Sequence, residues 1–314
     1  MGLGTVLLGT AAPGLSPLLI AIILGAVLRN IIRLPESWEP GIQFAAKRIL
    51  RWGVVLLGLQ ISLKTVLDLG PQVLVLIVSA VGITFLGTLG LGRLLKVDSE
   101  LTLLIASGFS ICGAAAVAGV QGTLRAAEEK VAAAIALVVL FGTLMIPTTV
   151  ALMAALGFGG DQTGVFIGAT THEVAQVVAA AGIAGGGAVL AIAVTVKLAR
   201  VALLAPVVAG VALVRQRSAP VSANQKRPPL LPLFVVGFIA MMVVATLDFV
   251  PAPVLDAASL VQQFLLATAM FALGLGVHFK SLKKLGARPL LLGLTSTALI
   301  ISVGLSALYL GVGA

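Results

Sequence analysis

Long, nearly uncharged apolar runs dominate the chain, and their length restricts the fold more than any other feature. Ten can be marked, at about 16–32, 42–63, 71–95, 101–122, 131–156, 164–183, 187–214, 230–249, 259–279 and 288–312. A helix needs about 20 predominantly apolar residues to cross the hydrocarbon of a bilayer. The runs are too long for strands and lack the alternation of an outer-membrane barrel. Composition agrees: 60% of the residues are hydrophobic, 10% are charged and the mean hydropathy is +1.18, whereas a soluble domain is about 25% charged. A soluble enzyme, a disordered chain and a disulfide scaffold are thereby excluded. The lone Cys112 cannot bridge within the chain. The expected fold class is an all-α integral membrane protein of about ten transmembrane helices. It forms a single multi-pass domain over 1–314 in a bacterial inner membrane. Residues 1–12 are apolar but too short to span, and they lack the charged start of a signal peptide.

A net charge of +9 would suggest nucleic acid in a soluble protein. Here the cations cluster between apolar runs, aromatics are scarce and no nucleic-acid motif is present, so no nucleic-acid partner is expected. The clusters Arg33/Lys47/Arg48/Arg51, Arg93/Lys96, Arg215/Arg217/Lys226/Arg227 and Lys280/Lys283/Lys284/Arg288 fall on one side if all ten runs cross. That side is cytoplasmic by the positive-inside rule. The same count sends Asp248, Asp256, Lys64/Asp68 and the mixed cluster Arg125/Glu128/Glu129/Lys130 to the other side, together with both termini.

Two internal similarities stand out. Leu57–Gly70 (LGLQISLKTVLDLG) matches Leu273–Gly286 (LGLGVHFKSLKKLG), and the same offset lays Pro35 on Pro251. Segments 16–95 and 231–314 are therefore candidate repeats of opposite orientation, the mark of an inverted-topology transporter. Between them, Gly108-Phe109-Ser110-Ile111-Cys112-Gly113 resembles Gly168-Ala169-Thr170-Thr171-His172-Glu173. About 35 residues after each, Leu144–Pro147 resembles Leu203–Pro206. Ten full crossings make this inner pair parallel, which fits no simple tandem duplication unless a segment is re-entrant.

The inner pair supplies the candidate site. Glycine weakens a helix and Ser/Thr compete for its backbone hydrogen bonds, so 101–156 and 164–214 read as core segments that each carry a broken helix. Open backbone at membrane depth is tolerated only against protein or a wet cavity. A half-helix after a break offers free N–H groups and a positive dipole end, a place for an anion with hydroxyls as further donors. The candidate substrate-binding residues are Ser107, Ser110, Ile111, Cys112, Gly113, Thr170, Thr171, His172, Glu173, Gln176 and Lys197. For Ser107–Ala116, close helix packing is the alternative reading. His172 and Glu173 are titratable groups within an apolar run, costly there unless paired or functional, and are the candidate proton-coupling pair. Lys197 lies mid-run, too deep to reach water easily. Glu173 is its expected partner, either as a fixed ion pair or as a charge that alternates with substrate. Arg200, on the same helix face, is expected near an interface, as are His278, Gln60 and Lys64. Neither stretch has metal-ligand spacing, no nucleophile–base set is present, and Cys112 reads as a packing residue. No cofactor is expected.

At these residues the chain resembles the YeiH-type membrane proteins, the family that bears a sulfate-exporter label. The resemblance rests on Ser16-Pro17-Leu18 with Leu24-Gly25, Ser107–Ala116, Thr171-His172-Glu173-Val174-Ala175-Gln176-Val177, Val196-Lys197-Leu198-Ala199-Arg200 and Phe271–Gly276. It covers nearly the whole chain, except that family members commonly carry one more N-terminal helix. The family is similar to sodium/proton antiporters and bile-acid symporters. That similarity implies a scaffold and a mobile core with crossing broken helices.

The expected function is secondary active export of a small anion, such as sulfate or an organic sulfonate, coupled to protons. It is not an enzymatic function, and no nucleotide-binding loop is present. The partners expected are the anion, a coupling ion (proton or sodium) and lipid, with a homodimer left open. A sodium/proton antiporter and a non-transporting scaffold or sensor are the alternatives.

Overall fold

A computed structural model describes residues 17–32, 34–124, 126–218, 232–276 and 286–313. Residues 1–12, Ser16, Arg33, Arg125, Lys226, Arg227, His278, Lys280, Lys283 and Lys284 lie outside them. All regular structure among the described residues is helical. Helix α1 is Pro17–Ile31. After a 3-10 turn at Glu36–Trp38 come α2 (Glu39–Phe44), a π-helical turn (Ala45–Ile49), α3 (Leu50–Leu57) and a 3-10 turn (Gly58–Gln60). Next are α4 (Leu63–Leu67), α5 (Gly70–Leu94), α6 (Ser99–Ser110), α7 (Ala114–Leu124), α8 (Glu128–Leu156), α9 (Gly160–Thr170), α10 (Val174–Ala184), α11 (Gly187–Ala202) and α12 (Leu204–Ser218). The chain ends in α13 (Leu233–Thr246), α14 (Ala252–Leu275) and α15 (Ala287–Tyr309).

Among the described residues, five stretches are long and apolar enough to cross a membrane: Gly70–Leu94, Glu128–Leu156, Gly187–Arg215, Ala252–Leu275 and Ala287–Tyr309. Local chemistry sets several boundaries. Pro251 precedes α14 in extended geometry, and Pro71 sits in the first turn of α5, where its missing N–H costs nothing. Asp98 caps α6, its Oδ1 accepting from the N–H groups of Glu100 (3.1 Å) and Leu101 (3.0 Å).

The helices pack in two groups. Helices α1, α2, α3, α13 and α14, with the π-helical turn Ala45–Ile49, form a scaffold, in which α14 crosses α1 and α3 and also carries α2 and the π-helical turn, while α13 packs on α3. Helices α5 to α11 and α15 form the other group. One hydrophobic core joins them, running from Ala21 and Ile22 on α1 to Phe109 and Ile111 at the tip of α6. Lipid can solvate the exposed Val75, Val78, Leu86 and Leu94 of α5, and that helix buries its other face.

Segments 99–124 and 160–184 do not run straight through. Each is a hairpin that returns to the end it came from. Lys130, at the start of α8, bonds Asp98 and Glu100 at the start of α6, both at 2.8 Å. Gly108 lies against Val138 further along, so α6 and α8 run in parallel from a common base. On the other side, Gly160 and Gly164 of α9 face Val189 and Ile192, and Gly168 faces Ala193 and Val196. Helices α9 and α11 are therefore also parallel, and α10 must return to the base of α9.

This geometry corrects one placement. The cluster around Glu128 was expected across the membrane from Lys47, yet the Lys47 ammonium bonds the Glu128 carboxylate at 2.5 Å. The reason is the fold-back of 99–124, which begins and ends on the side of the basic loops. Ten straight crossings cannot accommodate that contact.

Candidate functional site

The two hairpin tips meet in the interior. Helix α6 ends at Ser110, and Ile111 leaves the helical region with φ −111° and ψ −87°. Helix α9 ends at Thr170, and Thr171 and Glu173 are extended. Each interruption strands the last carbonyls of one half-helix and the first N–H groups of the next. The expected breaks thus fall at 111–113 and 171–173, and the tips converge on one helix, α11.

Lys197 and Arg200 of α11 fill the gap between the tips. The Lys197 ammonium donates to the carbonyls of Ile111 (2.8 Å), Thr171 (2.8 Å) and His172 (2.6 Å). Arg200 Nη1 donates to Gly168 (3.2 Å) and Thr171 (3.0 Å), and Nη2 to Ser110 (2.7 Å) and Phe109 (3.5 Å). Both side chains are fully buried. Two cations therefore satisfy the stranded carbonyls and the negative dipole ends of both first half-helices. Charge-assisted bonds of this kind are worth roughly 1.5–3 kcal/mol each, so the two residues pin the hairpins to α11.

This arrangement differs from two expectations. Lys197 does not pair with Glu173: carbonyls of both tips saturate its three donors. Arg200 does not lie at an interface but is buried as deeply as Lys197. Sequence reasoning understated it, although its position one turn from Lys197 on the same face was the signal that could have found it.

The Glu173 carboxylate goes to the other hairpin. Its Oε1 accepts from the N–H of Ala114 (2.8 Å), the first residue of α7, where a negative charge meets the positive dipole end of a half-helix. Gly113 makes room for it. That residue has φ +75°, and a Cβ there would lie 2.2 Å from Glu173 Cγ. Only glycine meets both demands without strain. At the second tip, Gln176 Oε1 accepts from the N–H of Glu173 (3.0 Å).

His172 lies with its Nε2 3.1 Å from Thr297 Oγ1 on α15, and its ring packs against Phe109 at a tilt of 48°, with centroids 4.5 Å apart. Expected as donors to an anion, the hydroxyls of Ser107, Ser110 and Thr170 are engaged within their own helices. Ser107 donates to Leu103 (2.8 Å), Ser110 to Ala106 (2.6 Å) and Thr170 to Phe166 (2.7 Å). These i−4 bonds loosen the helices just before they break. Thr171 Oγ1 and Arg200 Nε, both buried, have no hydrogen-bond partner among the described residues. Cys112, in the first tip, is a buried free thiol. No group of three or more metal-ligating side chains occurs among the described residues.

Glu173 is the one carboxylate among the buried side chains of the described residues, and it stands with two buried cations. The cluster is closed, with Glu173 only 4% and Cys112 6% exposed.

Comparison with known proteins places the chain. The profile described as conserved hypothetical protein 698 matches residues 1–293. A UPF0324 membrane protein of Corynebacterium glutamicum is 48% identical over 93% of this chain and 85% of its own length. Similar proteins in Bordetella bronchiseptica (39% identical, covering 93% of this chain and 92% of that protein) and Bacillus cereus (37%, covering 93% and 83%) are also described as UPF0324 membrane proteins. No solved structure matches. The family profile, these relatives and the apolar helices together make the chain an integral, multi-pass bacterial membrane protein of the conserved hypothetical protein 698 (UPF0324) family, to which the YeiH-type proteins belong.

Proposed function

We propose that the protein is a secondary transporter of a small anion, such as sulfate or an organic sulfonate, with the hairpin tips as its binding centre and protons as the coupling ion. The observation that carries this reading is the buried set of two cations and one carboxylate where two chain reversals meet. Its formal surplus of one positive charge favours an anion, and burying such charge is costly unless function or pairing requires it. A cation antiporter would need carboxylates instead, and the cluster holds one.

In this mechanism Glu173 occupies the amino end of α7 when the anion is absent. Protonation weakens that contact, and the anion replaces it beside Lys197. Alternating access follows from movement of the hairpin-bearing group against the scaffold, by the general logic of inverted repeats.

Two features support an inverted repeat. The first is a pair of matched close approaches in the scaffold. A Cβ on Gly58 would lie 2.4 Å from the carbonyl oxygen of Phe238 and 3.1 Å from the nitrogen of Met242. A Cβ on Gly274 would lie 2.2 Å from the carbonyl oxygen of Ile22 and 2.9 Å from the nitrogen of Ala26. Gly274 follows Gly58 by 216 residues, and Phe238 and Met242 follow Ile22 and Ala26 by the same 216. The second is that re-entrant hairpins turn the inner pair antiparallel. The order becomes three spans, hairpin plus span, hairpin plus span, three spans. That palindromic order accommodates both sequence similarities at once, with eight crossings and two hairpins.

The test is flux of sulfate, short sulfonates and short carboxylates into proteoliposomes, with and without a pH gradient. Gradient-dependent uptake is expected, with Glu173→Gln losing the pH dependence and Lys197→Gln losing uptake by at least about tenfold, the scale of one lost charge-assisted bond. Uptake of every anion at the rate of empty vesicles would refute the reading.

A further inference from the structure

The tips are not the only polar device in the molecule. On the side of the basic loops a cavity of about 750 Å³ separates the scaffold from the hairpin-bearing group. Its lining is mostly apolar, from the small Ala46, Ala118 and Ala272 to the larger Ile42, Leu101 and Ile135, and its charged residues include Lys47 and Glu128. Two scaffold side chains reach across it to a single carboxylate. Lys47 donates to Glu128 Oε1 at 2.5 Å, and Gln43 Nε2 to Glu128 Oε2 at 3.2 Å.

We infer that Gln43, Lys47 and Glu128 form a releasable latch that holds the two groups in the state where this cavity is open. The inference rests on the transport reading for its purpose, but not for its geometry.

Three observations carry it. The latch joins the two packing groups, whereas Lys130 with Asp98 and Glu100 ties the α6 hairpin to α8 within one group. The side chains of Lys47 and Glu128 are 39% and 61% exposed, so water replaces the bond cheaply, unlike the buried bonds of Lys197 and Arg200. Lys47 also sits on the π-helical turn Ala45–Ile49, an irregularity that occurs frequently at functional sites. Releasing the latch therefore favours movement of the hairpin-bearing group, and the cavity closes as it moves.

Cysteine accessibility tests this without a substrate. Ala132→Cys places a thiol on the cavity wall at a partly exposed position, and the chain without that substitution reports the background from buried Cys112. In membrane vesicles, an impermeant maleimide applied from the basic side should label Ala132→Cys. Adding Glu128→Gln or Lys47→Met should slow labelling about two- to fivefold, the scale of a half-exposed ion pair. The two together should do no more than Glu128→Gln alone, because they remove one interaction. A short bis-methanethiosulfonate linker between Gln43→Cys and Glu128→Cys should keep the cavity wall permanently reactive. Unchanged or faster labelling in the latch variants overturns the inference. If Glu128→Gln does not fold, Gln43→Ala with Lys47→Met asks the same question from the scaffold side. Labelling that responds in a protein moving no anion leaves the latch standing and removes the transport reading. Unresponsive labelling in a protein that carries anions removes the latch alone.

Discussion

At its tip the α6–α7 hairpin carries Ser110, Ile111, Cys112 and Gly113, while the α9–α10 hairpin carries Thr170, Thr171, His172 and Glu173 at the corresponding places, 60 residues later. Both reverse the chain inside the protein, and both strand the same backbone groups. The first brings no charged side chain and a left-handed glycine; the second brings a carboxylate and an imidazole. Neither satisfies all of its own ends. Glu173 crosses over to cap α7, and the carbonyls of both tips depend on α11. Sixty residues before Lys197 and Arg200, the matching helix α8 has Leu137 and Leu140. The two reversals are alike in backbone and one-sided in chemistry, so two similar hairpins share a single charged centre.

The strongest way to break that comparison is to remove the shared cation. Arg200→Leu leaves carbonyls of both hairpins without a donor and should destabilise the protein by on the order of 3–5 kcal/mol, read as thermal unfolding in detergent. A shift of less than a degree would mean the guanidinium is not what joins the tips. Next comes Gly113→Ala, which forces a side chain into left-handed backbone and against Glu173. It should cost about 2–3 kcal/mol. Glu173→Ala in the same chain should restore the part due to the clash and leave the part due to φ, so a double-mutant cycle separates them.

Matched substitutions sharpen the comparison in the scaffold. Gly58→Ala and Gly274→Ala should each cost about 1–3 kcal/mol and agree within about 1 kcal/mol if the two crossings are equivalent; widely unequal losses would argue against a two-fold relation. The smallest effect concerns the base of the first hairpin. Lys130 and the N–H of Leu101 hold the Asp98 carboxyl below the usual carboxylate range. A depressed folded-state value means the contribution is present at neutral pH and is lost as pH falls through that value. Asp98 is half exposed, so Asp98→Asn should cost under about 1 kcal/mol at pH 7. The gap to the unsubstituted protein should narrow as pH falls below the ordinary carboxylate range, and a gap unchanged on acidification would assign the cap to the amide-accepting oxygen alone.

Hydropathy alone located the helical runs, because a chain with 10% charged residues cannot cover itself for water. The broken stretches were legible for the same kind of reason, since glycine with Ser or Thr at membrane depth is a poor helix in any context. Lys197 was legible as a buried charge, because no nearby run end could receive it. Its true partners were not. Nothing local distinguishes a carbonyl at the tip of a hairpin from one inside a helix, and the nearest acid in sequence was a natural but mistaken choice. Arg200 was undervalued because distance along a run does not report depth once a helix is surrounded by others.

What the sequence decided by itself, then, is an all-helical membrane protein with two weakened helices and too few charges to be soluble. These are properties of individual residues and their spacing. The tertiary structure decided that the weakened stretches fold back, that Glu128 lies beside Lys47, and that Glu173 serves the opposite hairpin. Those outcomes depend on which stranded backbone groups find which partners across 25 to 91 residues, a pairing that no window of sequence contains.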